Sequence, residues 1–344
     1  MDMMRAAVLT RPGRFEVREV PIPRIGPDDA LIRVDRCGIC GTDIHIFKGH
    51  YAADTLPFIP GHEFTGTVSR VGDRVQGLPI GQRVVADVNI GCGHCFFCRR
   101  GEVLNCQAVS QIGIHRDGGF AEFVAVPARL VIPAPGEAKP ELLALTEPVA
   151  CVVRAARKSA IGFGMSVVVL GAGPIGNLHI QMMRLVGAAP IIAVEPSRPR
   201  AELAKKAGAD LVIADPKDAR RLVAEATEGR GADVVIESVG APALYAEAFR
   251  LIRPGGHVAA FGITGPDDSV PLPLLETVLR ENSVKGSVAG IGQDMHDALT
   301  LLKHGRFQVD AFIGSVVPLS AIQSAFETIQ DRPAVLKTLI DTTA

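Results

Sequence analysis

The sequence predicts an α/β protein in two parts, an irregular β-rich domain followed by a doubly wound parallel sheet, and three observations carry that prediction. From residue 5 to about residue 148, Gly and Pro cut the chain into short runs of strand type. From residue 166 onward, apolar strands alternate with segments of helical length and period. A glycine-rich turn stands where the first of those strands meets the first of those helices.

In the first part the strand-type runs are residues 30–34, 65–71, 83–88 and 121–126. In the second, strands at 166–170, 190–195, 211–214, 233–237 and 257–261 alternate with helices at 175–186, 198–207, 218–228 and 243–252, several of which end near Gly. Right-handed crossovers turn that alternation into one doubly wound sheet. A helix near 294–303, another at 321–329 and a strand at 335–340 complete the chain, and their pattern alone lets them join either part.

A chain of 344 residues, 47% hydrophobic and 21% charged, is large enough to bury cores in two domains. Its 36 Lys and Arg against 37 Asp and Glu leave a net charge of −1, so no basic field awaits a nucleic-acid backbone or an anionic membrane. With no Trp and two Tyr, a zinc module that stacks on nucleic acid is also disfavoured. No run reaches about 18 uninterrupted apolar residues, and the first ten residues lack the form of a signal peptide, so a cytoplasmic protein is expected. Cysteines in that reducing compartment read as metal ligands before disulfides.

Gly171-Ala172-Gly173-Pro174-Ile175-Gly176 follows a strand directly and opens a helix, the context a pyrophosphate site requires. Gly171 permits the tight turn, Gly173 lets the backbone approach phosphate, and Gly176 lets helix pack on strand, while the helix N-terminus offers free N–H groups. Glu195 closes the next strand, where a carboxylate accepts hydrogen bonds from ribose hydroxyls and repels a 2′-phosphate. NAD is therefore the expected cofactor; Arg198 and Arg200, which could hold a 2′-phosphate, keep NADP as the lesser alternative.

Cys92, Cys95, Cys98 and Cys106 crowd one glycine-rich loop with two, two and seven residues between them. Four thiolates close tetrahedrally on one zinc and leave no position for water, which makes the site structural. A second donor set lies in Cys40-Gly41-Thr42-Asp43-Ile44-His45 and Gly61-His62-Glu63. Cys40, His62 and Glu63 offer three protein ligands, the number that leaves a catalytic zinc an open position for an alcohol oxygen. Glu147, followed by Pro148, is a further candidate, as a ligand or as partner of metal-bound water. Thr42 and His45 are placed to relay the alcohol proton to solvent. Cys37 and Cys151 read as packing cysteines.

Residues 40–45, residues 61–66 with Gly72 and Gly81, the four-cysteine lobe, Glu147-Pro148, and residues 171–176 with Glu195 and Arg200 resemble the zinc-dependent medium-chain dehydrogenases over nearly the full length. The resemblance implies a GroES-like β-rich catalytic domain made of residues 1–150 plus 289–344, with a structural-zinc lobe at 91–107, and a Rossmann coenzyme domain of residues 151–288. It implies two zinc ions per chain, with Cys40, His62 and Glu63 holding the catalytic one, and contacts to NAD from Ile175, Glu195 and Arg200. It further implies a homodimer or homotetramer acting on a small polar alcohol or ketone, in the polyol (sorbitol-like) or L-threonine dehydrogenase branch. Ile46 and Ala289-Gly290 depart from the sorbitol enzymes, whereas residues 40–47 look more like threonine dehydrogenase; sugar alcohols, sugar acids, vicinal diols and threonine stay open. A zinc-free relative of the same fold would have lost Cys40, His62 or Glu63, and all three are present.

Overall fold

The computed structural model describes residues 2–331 and 334–344; Met1, Arg332 and Pro333, which fall in the ranges expected for the β-rich domain, lie outside the described residues. The chain forms two compact units, one of Met1–Ala150, Gly290–His304 and Ile313–Ala344, the other of Cys151–Ala289 and Gly305–Phe312. A single closing segment, 289–344, is expected from the resemblance. Instead the chain visits the second unit again at Gly305–Phe312, where Phe307 and Phe312 are buried and the Gln308 N–H donates to Gln181 Oε1 at 2.7 Å.

In the first unit a seven-stranded sheet runs Ile313–Pro318, Lys337–Asp341, Asp29–Gly38, Glu63–Val71, Arg83–Ala86 and Val131–Pro133, with Phe123–Pro127 also paired to Asp29–Gly38. The strand Asp29–Gly38 is central because nearly every side chain on it is buried, on both faces, as a strand covered on each side must be. A hairpin of Met3–Arg11 and Arg14–Pro21, absent from the sequence expectation, packs Phe15 against Phe47, Phe120 and Phe326. The closing strand pairs antiparallel to the central one with Leu339 opposite Gly38, so the tail belongs to this unit.

The second unit is a six-stranded parallel sheet in the order Leu211–Ile213, Ile191–Val194, Val167–Leu170, Ala232–Glu237, Ile252–Ala260, Ser283–Gly286. The order reverses between Val167–Leu170 and Ala232–Glu237, the switch point where such sheets bind ligands beyond the strands' carboxyl ends. Val167 to Leu170 and Ile191 to Val194 are continuously buried, the signature of strands covered by helices on both faces. No helix among the described residues is long and apolar enough to cross a membrane.

Candidate active site and metal centres

Register builds the first donor set. Gly38 pairs directly with Glu63 across the antiparallel ladder, which sets Cys40, two residues beyond, beside His62 and Glu63. A Cβ at position 38 would stand 2.1 Å from Glu63 Oε2, so only glycine lets that carboxylate fold over the strand. One thiol, one imidazole nitrogen and one carboxylate oxygen from Cys40, His62 and Glu63 lie within 4.8 Å of one another, with His62 and Glu63 buried. Sulfur, nitrogen and oxygen in one group of three, two of them buried, suit zinc with an open fourth position.

Asp43 reinforces this set and escapes the sequence reading. It occupies the third position of the helix Gly41–Phe47, and its Oδ2 accepts the Cys40 N–H at 2.8 Å. Its Oδ1 stands 3.3 Å from His62 Nδ1, close enough for attraction though without hydrogen-bond alignment. Burial opposes charge on His62, but Asp43 and Cys40 outweigh it and hold the imidazole well above the usual histidine range. The pocket therefore favours a positive charge at this point, which a metal ion on the neutral imidazole supplies in place of a proton. The local signal was available: an acid three residues past an N-cap is a capping-box residue.

Glu147 is brought near but not into the trio. It is buried in the first turn of the helix Thr146–Lys158, outside the group of ligand atoms within 4.8 Å of one another, and both expected roles, as a further ligand or as a partner of water, remain proposals. Its charge acts on Lys337, which no motif announces and whose ammonium donates to both Glu63 oxygens. Thr42 Oγ1 lies 3.8 Å from Cys40 Sγ, and His45 follows three residues later on the same helix face, exposed. Cys37 and Cys151 are buried outside both donor groups.

The second donor set is Cys92, Cys95, Cys98 and Cys106, again with sulfurs within 4.8 Å of one another. Cys92 and Cys98 sulfurs stand 4.0 Å apart, twice a disulfide length. Cys95 caps the short helix Phe96–Arg99 by accepting the Cys98 N–H. The backbone N–H groups of His94 and Cys95 push Cys92 down to about 6, and although the Gly93 N–H opposes it, burial and neighbouring thiols push Cys98 up to about 11. Four sulfurs so close compete for negative charge, which a bound cation relieves.

At the switch point, Ala172 N–H donates to Glu195 Oε2 and Ser197 N–H to Oε1, both at 2.8 Å, so the acid is locked against the glycine turn. Ser238, unforeseen, donates to the Leu170 and Gly171 carbonyls from the neighbouring strand end. The two inner glycines differ. A Cβ on Gly176 would meet the Gly171 oxygen at 2.0 Å, so packing demands glycine there. Gly173 has φ of −64°, ordinary for any residue, and its Cβ would meet nothing nearer than Arg200 Nη1 at 3.8 Å. Nothing among the described residues requires glycine at 173, so the backbone there lies open to close approach at the N-terminus of the helix Pro174–Leu185, with Ile175 next in the first turn. Gly173→Ala is accordingly expected to weaken NADH binding about tenfold, or about 1.4 kcal/mol, in a fluorescence titration. Its melting temperature should stay within about 2 °C of wild type, whereas Gly176→Ala should lower it. Unchanged NADH affinity in Gly173→Ala would remove the phosphate role from this turn.

The family description "Alcohol dehydrogenase GroES-like domain" matches residues 26–136, and "Zinc-binding dehydrogenase" matches residues 174–304. The L-threonine 3-dehydrogenase of Pyrococcus abyssi is 39% identical over 319 residues, covering 91% of each chain. The sorbitol dehydrogenase of Halalkalibacterium halodurans is 33% identical over 345 residues, covering 98% of this chain and 100% of that one. Among solved structures, a zinc-binding dehydrogenase of Sinorhizobium meliloti 1021 bound to NADP superposes with a TM-score of 0.91 at 35% identity, over 99% of this chain and 100% of that one.

Proposed function

This chain belongs to the zinc-dependent medium-chain dehydrogenase family, in its threonine and polyol dehydrogenase branch, and from that premise we propose that it oxidises a secondary alcohol on a small polar substrate to the ketone. Polyols, sugar acids, vicinal diols and threonine-like amino acids are the substrate class. The observation that carries the proposal is the convergence of Cys40, His62 and Glu63 on one point by strand register.

Cys40, His62 and Glu63 would hold the catalytic zinc, and Cys92, Cys95, Cys98 and Cys106 the structural one, two per chain. Zinc supplies Lewis-acid polarisation of the substrate hydroxyl, and the nicotinamide supplies the hydride acceptor. The chain's own residues manage the proton. Oxidation removes a hydride from the carbinol carbon and a proton from its oxygen; Thr42 takes that proton at its hydroxyl and passes its own to His45, which delivers it to water. Partial burial of its ring, with the positive neighbours His50 and Lys48, lowers His45 from its ordinary value, so at pH 7 it is neutral and able to accept. Glu147 would serve the zinc as a further ligand or through a water, and its charge offsets that of Lys337.

We assign NAD as the coenzyme because the Glu195 carboxylate, anchored on Ala172 and Ser197, places negative charge where a 2′-phosphate would go. Arg200, close to Gly173, is the group through which NADP would be accepted, and the S. meliloti relative is bound to NADP. The deciding test is reduction of NAD and of NADP by the purified enzyme against polyols, aldonates, vicinal diols and L-threonine, before and after chelation. Turnover on one class, abolished by chelation and faster with NAD, supports the proposal. Turnover that survives complete removal of zinc overturns it.

We assign the protein to the cytoplasm, where a four-thiol lobe stays reduced, and to a homodimer or homotetramer. The support is an apolar patch on the second unit: Leu274, Leu275, Val278 and Leu279 on the helix Leu274–Leu279 are each about 70% exposed, and Val284 lies on the adjoining edge strand Ser283–Gly286. Patches and unpaired edges of this kind mark subunit contacts. Leu275→Glu with Val278→Glu is expected to convert the oligomer to monomer in light scattering, and an unchanged mass would move the interface elsewhere.

A further inference from the structure

Lys337 opens the closing strand Lys337–Asp341 with its side chain 3% exposed. Its ammonium donates to Glu63 Oε1 at 2.7 Å, to Glu63 Oε2 at 2.6 Å and to the Ile39 carbonyl at 3.1 Å. An ammonium has three N–H donors, and three acceptors meet it. Ile39 immediately precedes Cys40, and Glu63 immediately follows His62, so one cation ties together the two segments that carry the whole trio. The strand is delivered there by Leu339 opposite Gly38 and by the Ile39 N–H donating to the Thr338 carbonyl at 3.0 Å.

Burying a lysine is costly, and an apolar side chain of similar length would fill the same volume without that cost. The fold alone therefore does not explain Lys337. We propose that Lys337 is a positioning residue for the catalytic metal, holding Glu63 in the orientation that presents a carboxylate oxygen beside Cys40 and His62. This rests on the zinc reading above. Each carboxylate oxygen carries two lone pairs, so it accepts the ammonium on one and offers the other to the metal. By drawing negative charge from Glu63, Lys337 also leaves the metal more electron-poor, which strengthens its pull on an alcohol oxygen.

The test uses the whole enzyme with its four-cysteine lobe loaded. Metal affinity at the trio is measured by chelator competition, and cobalt substituted there is read by its visible absorption bands. Lys337→Met is expected to weaken metal binding at the trio about 10–100-fold and to shift the cobalt bands, with lobe zinc untouched. Lys337→Gln keeps a donor of similar length and serves if the Met variant does not fold, with the same direction of change. In a Glu63→Gln background, adding Lys337→Met should change affinity little further, because the lysine acts through that carboxylate. Wild-type affinity and an unchanged cobalt spectrum in a folded variant would overturn the inference, as would an equal loss in the Glu63→Gln background. Should wild type and Cys40→Ser take up the same amount of metal, the zinc reading itself fails.

Discussion

Cys40→Ser lowers kcat/KM by about 10³-fold or more, equivalent to at least about 4 kcal/mol of transition-state stabilisation, and lowers the zinc content from about two ions per chain to about one. A serine hydroxyl is a poor zinc ligand at neutral pH, and two remaining ligands do not hold the ion firmly. The fold should survive. Cys40 caps a seven-residue helix through its backbone, its N–H bonded to Asp43, and the sheet around it is closed by strand pairing that the side chain does not touch. NADH affinity should also stay within about twofold of wild type, since the glycine turn and Glu195 belong to the other unit. Steady-state kinetics, metal analysis and an NADH titration on one preparation check all three. A variant that keeps most of its kcat removes Cys40 from the chemistry.

Cys95→Ser acts in the opposite order, on stability before chemistry. The lobe has little core of its own: of its four cysteines only Cys106 is fully buried, Phe96 is 67% exposed, and its helix Phe96–Arg99 is a single turn. Structural zinc contributes on the order of 10–16 kcal/mol to the folding of such segments, so losing one ligand should unravel the lobe. A melting temperature lower by roughly 5–10 °C is expected, with faster amide exchange confined to residues 91–107. In the fraction still folded, kcat/KM should remain within about threefold of wild type. An unaltered melting temperature and oligomeric state would count against a structural metal.

The parallel sheet was legible because its strands are local and unambiguous. Val167 to Leu170 and Ile191 to Val194 are unbroken apolar runs, and the helix at 198–207 stands where its period and closing Gly208 put it. The edge strand Ser283–Gly286 was not legible, since Val284 is its one large apolar residue and no alternation surrounds it. Nor was the hairpin Met3–Arg11 with Arg14–Pro21, whose second strand is mostly exposed and polar.

By itself the sequence determined which residues could do chemistry: the four-cysteine spacing, Cys40, His62 and Glu63 as a donor set, and a glycine turn between strand and helix with Glu195 after it. These are short-range patterns, set by spacing within a loop or by a strand–turn–helix succession, and local sequence specifies them. Tertiary structure alone decided which of them meet and what supports them. Gly38 facing Glu63 and Lys337 reaching Glu63 across 274 residues of chain both follow from how distant strands pair. Register in an antiparallel ladder is settled by the burial of whole strands against one another, and a change of one residue would turn every side chain to the opposite face. That cooperative choice has no signature in any window of the sequence, which is why the lysine beside Glu63 could be found only in the fold.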